Sequence, residues 1–379
     1  MKKNQVIRIS ELTSVADIIS WTLAEAVTFE IHSKASFEIG AEGPALALLR
    51  GFADRAKQIV VSCSFPVPDS NDAILRTVFA TAFGFSLIRL ASQIVFPSVA
   101  ATKTSELKIM MGGLYVHASG LLGSGKKASL VQLDRGYAIP HPRLPATQGN
   151  SSGEDSFISP SAFLGLFPLI ETSIGFQIPV PPSARAELAD FLCEAFVNTE
   201  EHGTPSSDLR KRAVRAVTFE KWNYDEQSWP RRRLASDLLG FVDRVKRGTN
   251  GAALTGIFSV SVADQGDGIP RTLPALEKES REQRIVRALQ SGQSRKPADG
   301  TKLRGEGFTK MLTVAHRLGG LVEIASGGVF LAIDYSLSDG KYSSLDGLEV
   351  IGISDVDCAG TAISVFLPSY DQDLNRRLL

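Results

Sequence analysis

The chain has 379 residues, 43% hydrophobic and 22% charged, with 41 basic and 41 acidic side chains. That length suits two or three domains with sizeable cores, and a formal net charge of zero removes any global electrostatic case for nucleic acid or an anionic membrane. The cysteines (Cys63, Cys193 and Cys358) are scattered without metal-ligand spacing, which fits thiols used as small core residues in a reducing compartment.

From the N-terminus, MKKNQVIRIS carries charge with no apolar stretch behind it and does not read as a signal peptide. The most apolar region, residues 74–101, is broken by Arg76 and Arg89, and the uncharged stretch 157–170 contains prolines. Neither offers the roughly 20 apolar residues of a bilayer span, so the expectation is a cytoplasmic protein without membrane partners.

Residues 1–150 read as a small α/β domain. Apolar runs at Phe37–Ile39 and Ile59–Val61 predict strands, and Leu46, Leu49, Phe52, Ala53 and Ala56 predict a helix over Pro44–Lys57. A helix is expected over Asp72–Ala82, then strands at Leu107–Met111 and Leu114–Ala118. Such alternation implies a layered unit with a largely covered sheet. Its outline resembles the STAS-like domains that partner bacterial regulatory kinases, although no motif carries a function. GLLGSGKK at 120–127 nearly matches a phosphate-binding loop, but Lys127 stands where a hydroxyl should ligate magnesium. The residues after it promise no helix to receive phosphate, so a tight turn between two strands is the better reading. The Pro-, Gly- and Ser-rich stretch 140–156 reads as a linker, dividing the chain near residue 150 into units 1–150 and 151–379.

In the second unit, residues 157–175 look helical in pieces, followed by a joint at Pro179, Pro181 and Pro182. Ser183 is expected to cap a helix over Ala184–His202. Its stripe is Leu188, Phe191, Leu192, Ala195 and Phe196, with Glu194, Asn198 and Glu201 on the other side at i, i+4 and i+7. A strand near Lys211–Lys221 and a helix near Arg231–Lys246 follow. Arg231, Arg232 and Arg233 are read as a solvated helix start. The next strand ends on Asp264, with Phe258, Val260 and Val262 on one face and Ser259 and Ser261 on the other. Gly266 and Gly268 come at once. A carboxylate there can accept from an exocyclic amine, and the glycines let backbone lie against a flat base. A helix over Glu277–Gln290 precedes the basic, glycine-bearing segment Ser291–Arg304. Gly305 and Gly307 open a helix to Leu318, and strands are expected at Leu321–Ala325, Val329–Asp334 and Thr361–Leu367.

This order of motifs resembles the GHKL ATP-binding fold of histidine kinases, anti-sigma-factor serine kinases, gyrase-type topoisomerases, large heat-shock chaperones and mismatch-repair ATPases, over about residues 157–368. The resemblance implies a two-layer α/β sandwich of the Bergerat type with a mixed sheet, preceded by the smaller α/β domain. It implies ATP and Mg2+ as ligands: Asn198 holds the magnesium, Glu194 polarises water or an attacking hydroxyl, and Asp264, Gly266 and Gly268 receive the adenine. Gly305 and Gly307 receive phosphate, Lys302 and Arg304 lie in a nucleotide lid, and Thr361 shares the adenine-binding water. Glu201 and His202 match the family's helix ending without a defined role, and Asp267 is read as shaping the turn. There are departures. The second glycine box has fewer glycines than many relatives carry, and His32 lacks a phosphoacceptor helix. The implied protein is a regulatory ATP-binding protein that hydrolyses ATP or transfers its phosphoryl group to a protein partner. A nucleotide-gated interaction switch without catalysis is the alternative, and a homodimer is compatible with either.

Overall fold

The structure is a computed structural model that describes residues 2–97, 104–117, 121–124, 126–133, 159–175, 177–202, 214–224, 236–248, 254–290, 307–336, 345, 347–357 and 360–370. It opens with β1 (Lys2–Ile9), α1 (Val15–Ile19), β2 (Ala24–Ile31), α2 (Glu42–Arg55) and β3 (Gln58–Cys63). Then come α3 (Asn71–Ile74), a 3-10 turn (Val78–Ala80), α4 (Ala82–Leu90), β4 (Gln93–Val95) and α5 (Thr104–His117). The strands form a four-stranded parallel sheet in the order β1-β2-β3-β4. Ile7, Ile9, Val27, Phe29, Ile31, Ile59, Val61 and Ile94 are buried on one face, while Val6, Arg8, Thr28, Glu30 and Val60 between them are half-buried or exposed. A parallel sheet usually reads as a continuous apolar run because helices cover both faces. This one alternates, being covered on one face.

Three expectations here change. Residues 37–39 make one bridge, Thr13 to Phe37, and no strand. The helix expected over 72–82 is divided among α3, the 3-10 turn and α4, with Thr77 and Thr81 accepting from Phe79 and Gly84 backbone N–H groups. The two strands expected at 107–118 are a single helix, α5. Its buried residues Leu107, Met111, Leu114 and Tyr115 follow helical spacing, and Gly112 and Gly113, which divided the apolar runs, lie on its exposed side.

The chain continues through β5 (Leu121–Ser124), β6 (Lys127–Leu133), α6 (Pro160–Ile174), α7 (Pro182–His202), β7 (Val214–Asn223), α8 (Ser236–Gly248) and β8 (Leu254–Asp264). It ends with α9 (Ile269–Thr272), α10 (Arg281–Leu289), α11 (Gly307–Arg317), β9 (Leu321–Ser326), β10 (Val329–Asp334), β11 (Leu348–Ile353) and β12 (Thr361–Tyr370). Strands β5–β12 form one eight-stranded sheet, β11-β10-β9-β12-β8-β7-β6-β5, antiparallel at every pairing. The expected mixed sheet is therefore corrected to an antiparallel one. Ser124 pairs with Lys127, so β5 and β6 are the two antiparallel strands expected around this motif. That hairpin adds strands from before residue 150 to a sheet whose remaining strands all follow it. The linker expected at 140–156 and the arginines at 231–233 lie outside the described residues.

Successive positions along β8 point to opposite sides. Phe258, Val260 and Val262 join Val217, Phe219, Ile324, Ile363 and Val365 in a core covered by α6, α7 and α11. The other face is not solvated. Ser259 and Ser261 are buried there, and the core of the parallel sheet reaches Ala216, Ala263, Ala325 and Ala362 through α2 and α4. Those four alanines lie side by side across β7, β8, β12 and β9, and their small side chains let α2 approach closely. A Cβ on Gly43 would stand 3.4 Å from Ala362 and 3.5 Å from Ser261. Helix α8 covers the rest of this face through Leu238, Phe241 and Val242. The layers are thus parallel sheet, helices, antiparallel sheet, helices. The two-layer sandwich expected for the second unit has a further covered face.

Polar groups inside the α2 joint are paired, as burial demands. Ser261 and Ser364 hydroxyls lie 2.7 Å apart, and those of Ser129 and Thr218 2.9 Å apart. Lys127 Nζ sits 2.9 Å from Glu42 Oε2 and 3.0 Å from Glu220 Oε1. Burial opposes the Lys127 charge, but Glu220 and Glu42 outweigh it and hold the ammonium above its ordinary value. Burial pushes the Glu220 carboxyl up, against the pull of Lys127. The lysine that mimics a phosphate-binding loop ties the antiparallel sheet to α2.

Candidate functional site

Helix α7 starts at Pro182, so Ser183 lies inside it and does not cap it. Proline suits the first helical turn, where its missing N–H would have no partner. Leu188, Phe191, Leu192, Ala195 and Phe196 are all buried, as expected from their stripe. That anchoring turns Glu194 and Asn198, one helical turn apart, to the half-buried side.

The N-terminus of α11 meets them there. A Cβ on Gly307 would lie 3.3 Å from Asn198 Nδ2 and 3.3 Å from Glu194 Oε2, with Asn198 Oδ1 at 3.7 Å. The absence of a side chain at 307 leaves the backbone end of a helix open to an amide and a carboxylate. Lys310, on the first turn of α11, donates from Nζ to Glu194 Oε1 at 2.8 Å. The two carboxylate oxygens are therefore distinguished, one facing Lys310 and the other Gly307.

A second group lies at the strand ends on the same face of the sheet. Along β8, the residues facing α7 are apolar until Asp264. Its ladder neighbours are Arg215 on β7 and Thr361 on β12, and Thr361 in turn pairs with Ser326 on β9. A polar row thus replaces the apolar rows where the sheet ends. Thr361 Oγ1 and Ser326 Oγ are 2.9 Å apart, and Ser326 Oγ accepts from the Ile269 N–H at 2.8 Å.

Asp264 is 4% exposed. Its Oδ1 accepts from the Gly266 N–H at 2.7 Å, bending the chain at once after the strand. Gly268 has φ 75°, a left-handed value that favours glycine, and leads into α9. Burial pushes the Asp264 carboxyl up to about 6; the Gly266 N–H, the Arg215 charge and the Thr361 N–H pull the other way without cancelling it. A carboxylate that is costly to keep charged and dry gains from any donor brought to it.

The sequence-predicted residues therefore fall into two clusters on one face: Glu194, Asn198 and Gly307, and Asp264, Gly266, Gly268 and Thr361. Lys302, Arg304 and Gly305 lie outside the described residues, as do the side chains of Glu201 and His202. His32 follows β2 in a turn, where its Nδ1 accepts from the Lys34 N–H, and is on no helix. Asp267 does more than shape the turn, because its Oδ1 is 3.3 Å from Arg50 Nη2 of α2. Sequence reasoning missed Lys310, Arg215 and Ser326. Alternation from Val217 and Phe219 places Arg215 on the helix-facing side, but only the strand pairing sets it beside Asp264.

Among the described residues no group of three His, Cys, Asp or Glu side chains could cage a metal. An amide oxygen beside a carboxylate suits magnesium, which keeps most of its water and takes other oxygens from a phosphate ligand. No helix among the described residues is long and apolar enough to cross a membrane. Comparison with protein-family models, curated proteins and solved structures gives no match.

Proposed function

We propose that the second unit binds Mg-ATP in a GHKL-type, Bergerat-like site and uses it for phosphoryl chemistry in a regulatory setting in the cytoplasm. The observation that carries this reading is the contact at Gly307: the start of α11 sits against Glu194 and Asn198, so segments far apart in sequence converge as that site requires. The pairing of Thr361 with Asp264 supports the same reading at the adenine end.

In this reading Asp264 accepts from the exocyclic amine of adenine, and the turn through Gly266 and Gly268 lies against the base. Thr361, held by Ser326, orients its hydroxyl beside that carboxylate. Asn198 Oδ1 would hold the magnesium, which neutralises phosphate charge when bound. Backbone N–H groups at the start of α11, with Gly305 before it, receive phosphate oxygens at the positive end of a helix dipole. Lys302 and Arg304 would supply positive charge to the phosphates. Glu194 takes the proton of the attacking water or hydroxyl at Oε2, the oxygen facing Gly307, while Lys310 holds Oε1.

Calorimetry with Mg-ATP tests the binding claim: micromolar to millimolar affinity is expected, and none at millimolar nucleotide would end it. Asp264→Asn should weaken binding about tenfold or more, the loss of one charge-assisted hydrogen bond. Glu194→Ala should keep binding and lose turnover by on the order of 100-fold or more. Labelled ATP incubated with the protein and a lysate separates the fates of the phosphate. Label on another protein supports a kinase, free phosphate alone an ATPase, and neither the non-catalytic switch. The switch reading draws its support from α2, whose contacts reach the adenine turn.

A further inference from the structure

The turn that follows Asp264 is fastened from behind by the parallel-sheet unit. Arg50, on the third turn of α2, is 3% exposed. Its guanidinium lies 3.0 Å from Asp54 Oδ1 on the same helix and 3.3 Å from Asp267 Oδ1 in the turn. Gln265, 2% exposed, donates from Nε2 to the Leu46 carbonyl of α2 and to Ser86 Oγ of α4, at 3.2 and 2.7 Å. Its Oε1 accepts from the Val214 N–H at 3.1 Å. Just ahead of the neighbouring strand β12, the Gly360 N–H donates to the Ala47 carbonyl at 3.0 Å. Alternate residues of one short turn therefore have opposite duties. Asp264 faces α7 and the candidate site, while Gln265 and Asp267 are held by α2 and α4.

We propose that Arg50 is a positioning residue: reaching from α2 to Asp267, it clamps the 264–268 turn in the form that presents Asp264 to a ligand, making the parallel-sheet unit a working part of the site. The consequence for nucleotide affinity rests on the Mg-ATP reading above; the clamp itself does not. A buried guanidinium bridging two carboxylates is suited to this task because its planar fork fixes direction as well as charge. Lysine retains the charge without the fork. The grip also couples the parallel sheet to that turn, since α2 packs on both sheets.

The test compares wild type with Arg50→Ala, Arg50→Lys, Asp267→Asn and the Arg50→Ala/Asp267→Asn double variant. Mg-ATP affinity is read by calorimetry, and amide hydrogen exchange is followed in the nucleotide-free protein. Arg50→Ala and Asp267→Asn should each weaken Mg-ATP binding about tenfold, the equivalent of one charged contact. The double variant should be no weaker than the worse single one, and Arg50→Lys should fall between wild type and Arg50→Ala. Exchange should quicken at residues 265–268 and stay unchanged in β10. Unchanged affinity, or effects that add in the double variant, would overturn the proposal. So would exchange that quickens equally in β10, which marks general loosening. If the wild-type protein binds no Mg-ATP, the ATP reading fails and exchange decides the clamp: selective loss of protection at 265–268 in Arg50→Ala supports it, and unchanged protection refutes it.

Discussion

The two faces of the antiparallel sheet are built from the same strands with opposite chemistry. Toward α7 the rows are large and apolar, Phe219, Val260, Ile363 and Val365 among them, and they end in the polar row of Arg215, Asp264, Thr361 and Ser326. Toward α2 the central rows are alanines and hydroxylated residues, and Lys127 is matched by Glu42 and Glu220. Large side chains on the α7 face give way to a polar margin at the strand ends. Small side chains on the α2 face bring a helix close and seal it. The first face carries the candidate site and the second a close-packed joint.

Removing Lys127 attacks the joint hardest. Lys127→Met leaves Glu42 and Glu220 buried without their shared cation, and should cost about 3–5 kcal/mol in urea unfolding. Loss of ATP affinity with stability intact would instead mean that the hairpin lysine belongs to a phosphate site. On the site face, the largest effect is a pH dependence. The Asp264 carboxyl has an ordinary value of 3.8 and stands at about 6 in the fold. Its contribution is therefore fully present below about pH 4 and lost as pH rises through about 6, for a total near 3 kcal/mol. Asp264→Asn should flatten that slope, gaining stability over wild type between about pH 4 and 7. Parallel unfolding curves across that range would show that burial does not govern Asp264.

A smaller effect probes how closely α2 approaches. Gly43→Leu should destabilise by about 1–3 kcal/mol through overpacking against Ser261, Ala263 and Ala362. Gly43→Ala makes ordinary contacts and should be neutral or stabilise by up to about 1 kcal/mol through helix propensity. Equal effects of the two would place the helix further off. The smallest change is expected at Lys310, whose side chain is 59% exposed against a half-buried Glu194. Lys310→Ala should alter stability by less than about 1 kcal/mol. A larger loss in thermal unfolding would make the pair part of the scaffold.

Much of the placement of the candidate residues was legible because they carry local signals. The stripe of α7 fixed which side Glu194 and Asn198 occupy, and the alternation of β8 delivered Asp264 to a glycine turn. What stayed hidden depends on pairing between distant segments. Ser259 and Ser261 have the pattern of a solvated strand face, yet both are buried, Ser261 against Gly43 of α2, and no spacing within β8 announces a covering helix. Leu107–Tyr115 shows how two adjacent glycines can divide one helical stripe into two apparent strands. The mixed sheet implied by family resemblance failed on orientation, which the pairing of distant strands sets. Asp267 looked like turn chemistry because its partner, Arg50, belongs to another layer.

The β5–β6 hairpin bears on how the protein tolerates being cut. A fragment starting at residue 159 would keep α7, β8 and α11 but lose two strands, stripping β7 of its neighbour along Val214–Glu220. The exposed backbone would form an adhesive edge open to pairing with other chains. Starting the fragment ahead of β5 would restore that edge, but would still bare the alanine row and the buried serines that α2 covers. Severing the chain at its apparent linker therefore divides a sheet, and the half carrying the candidate site would be expected to clump before it could be assayed.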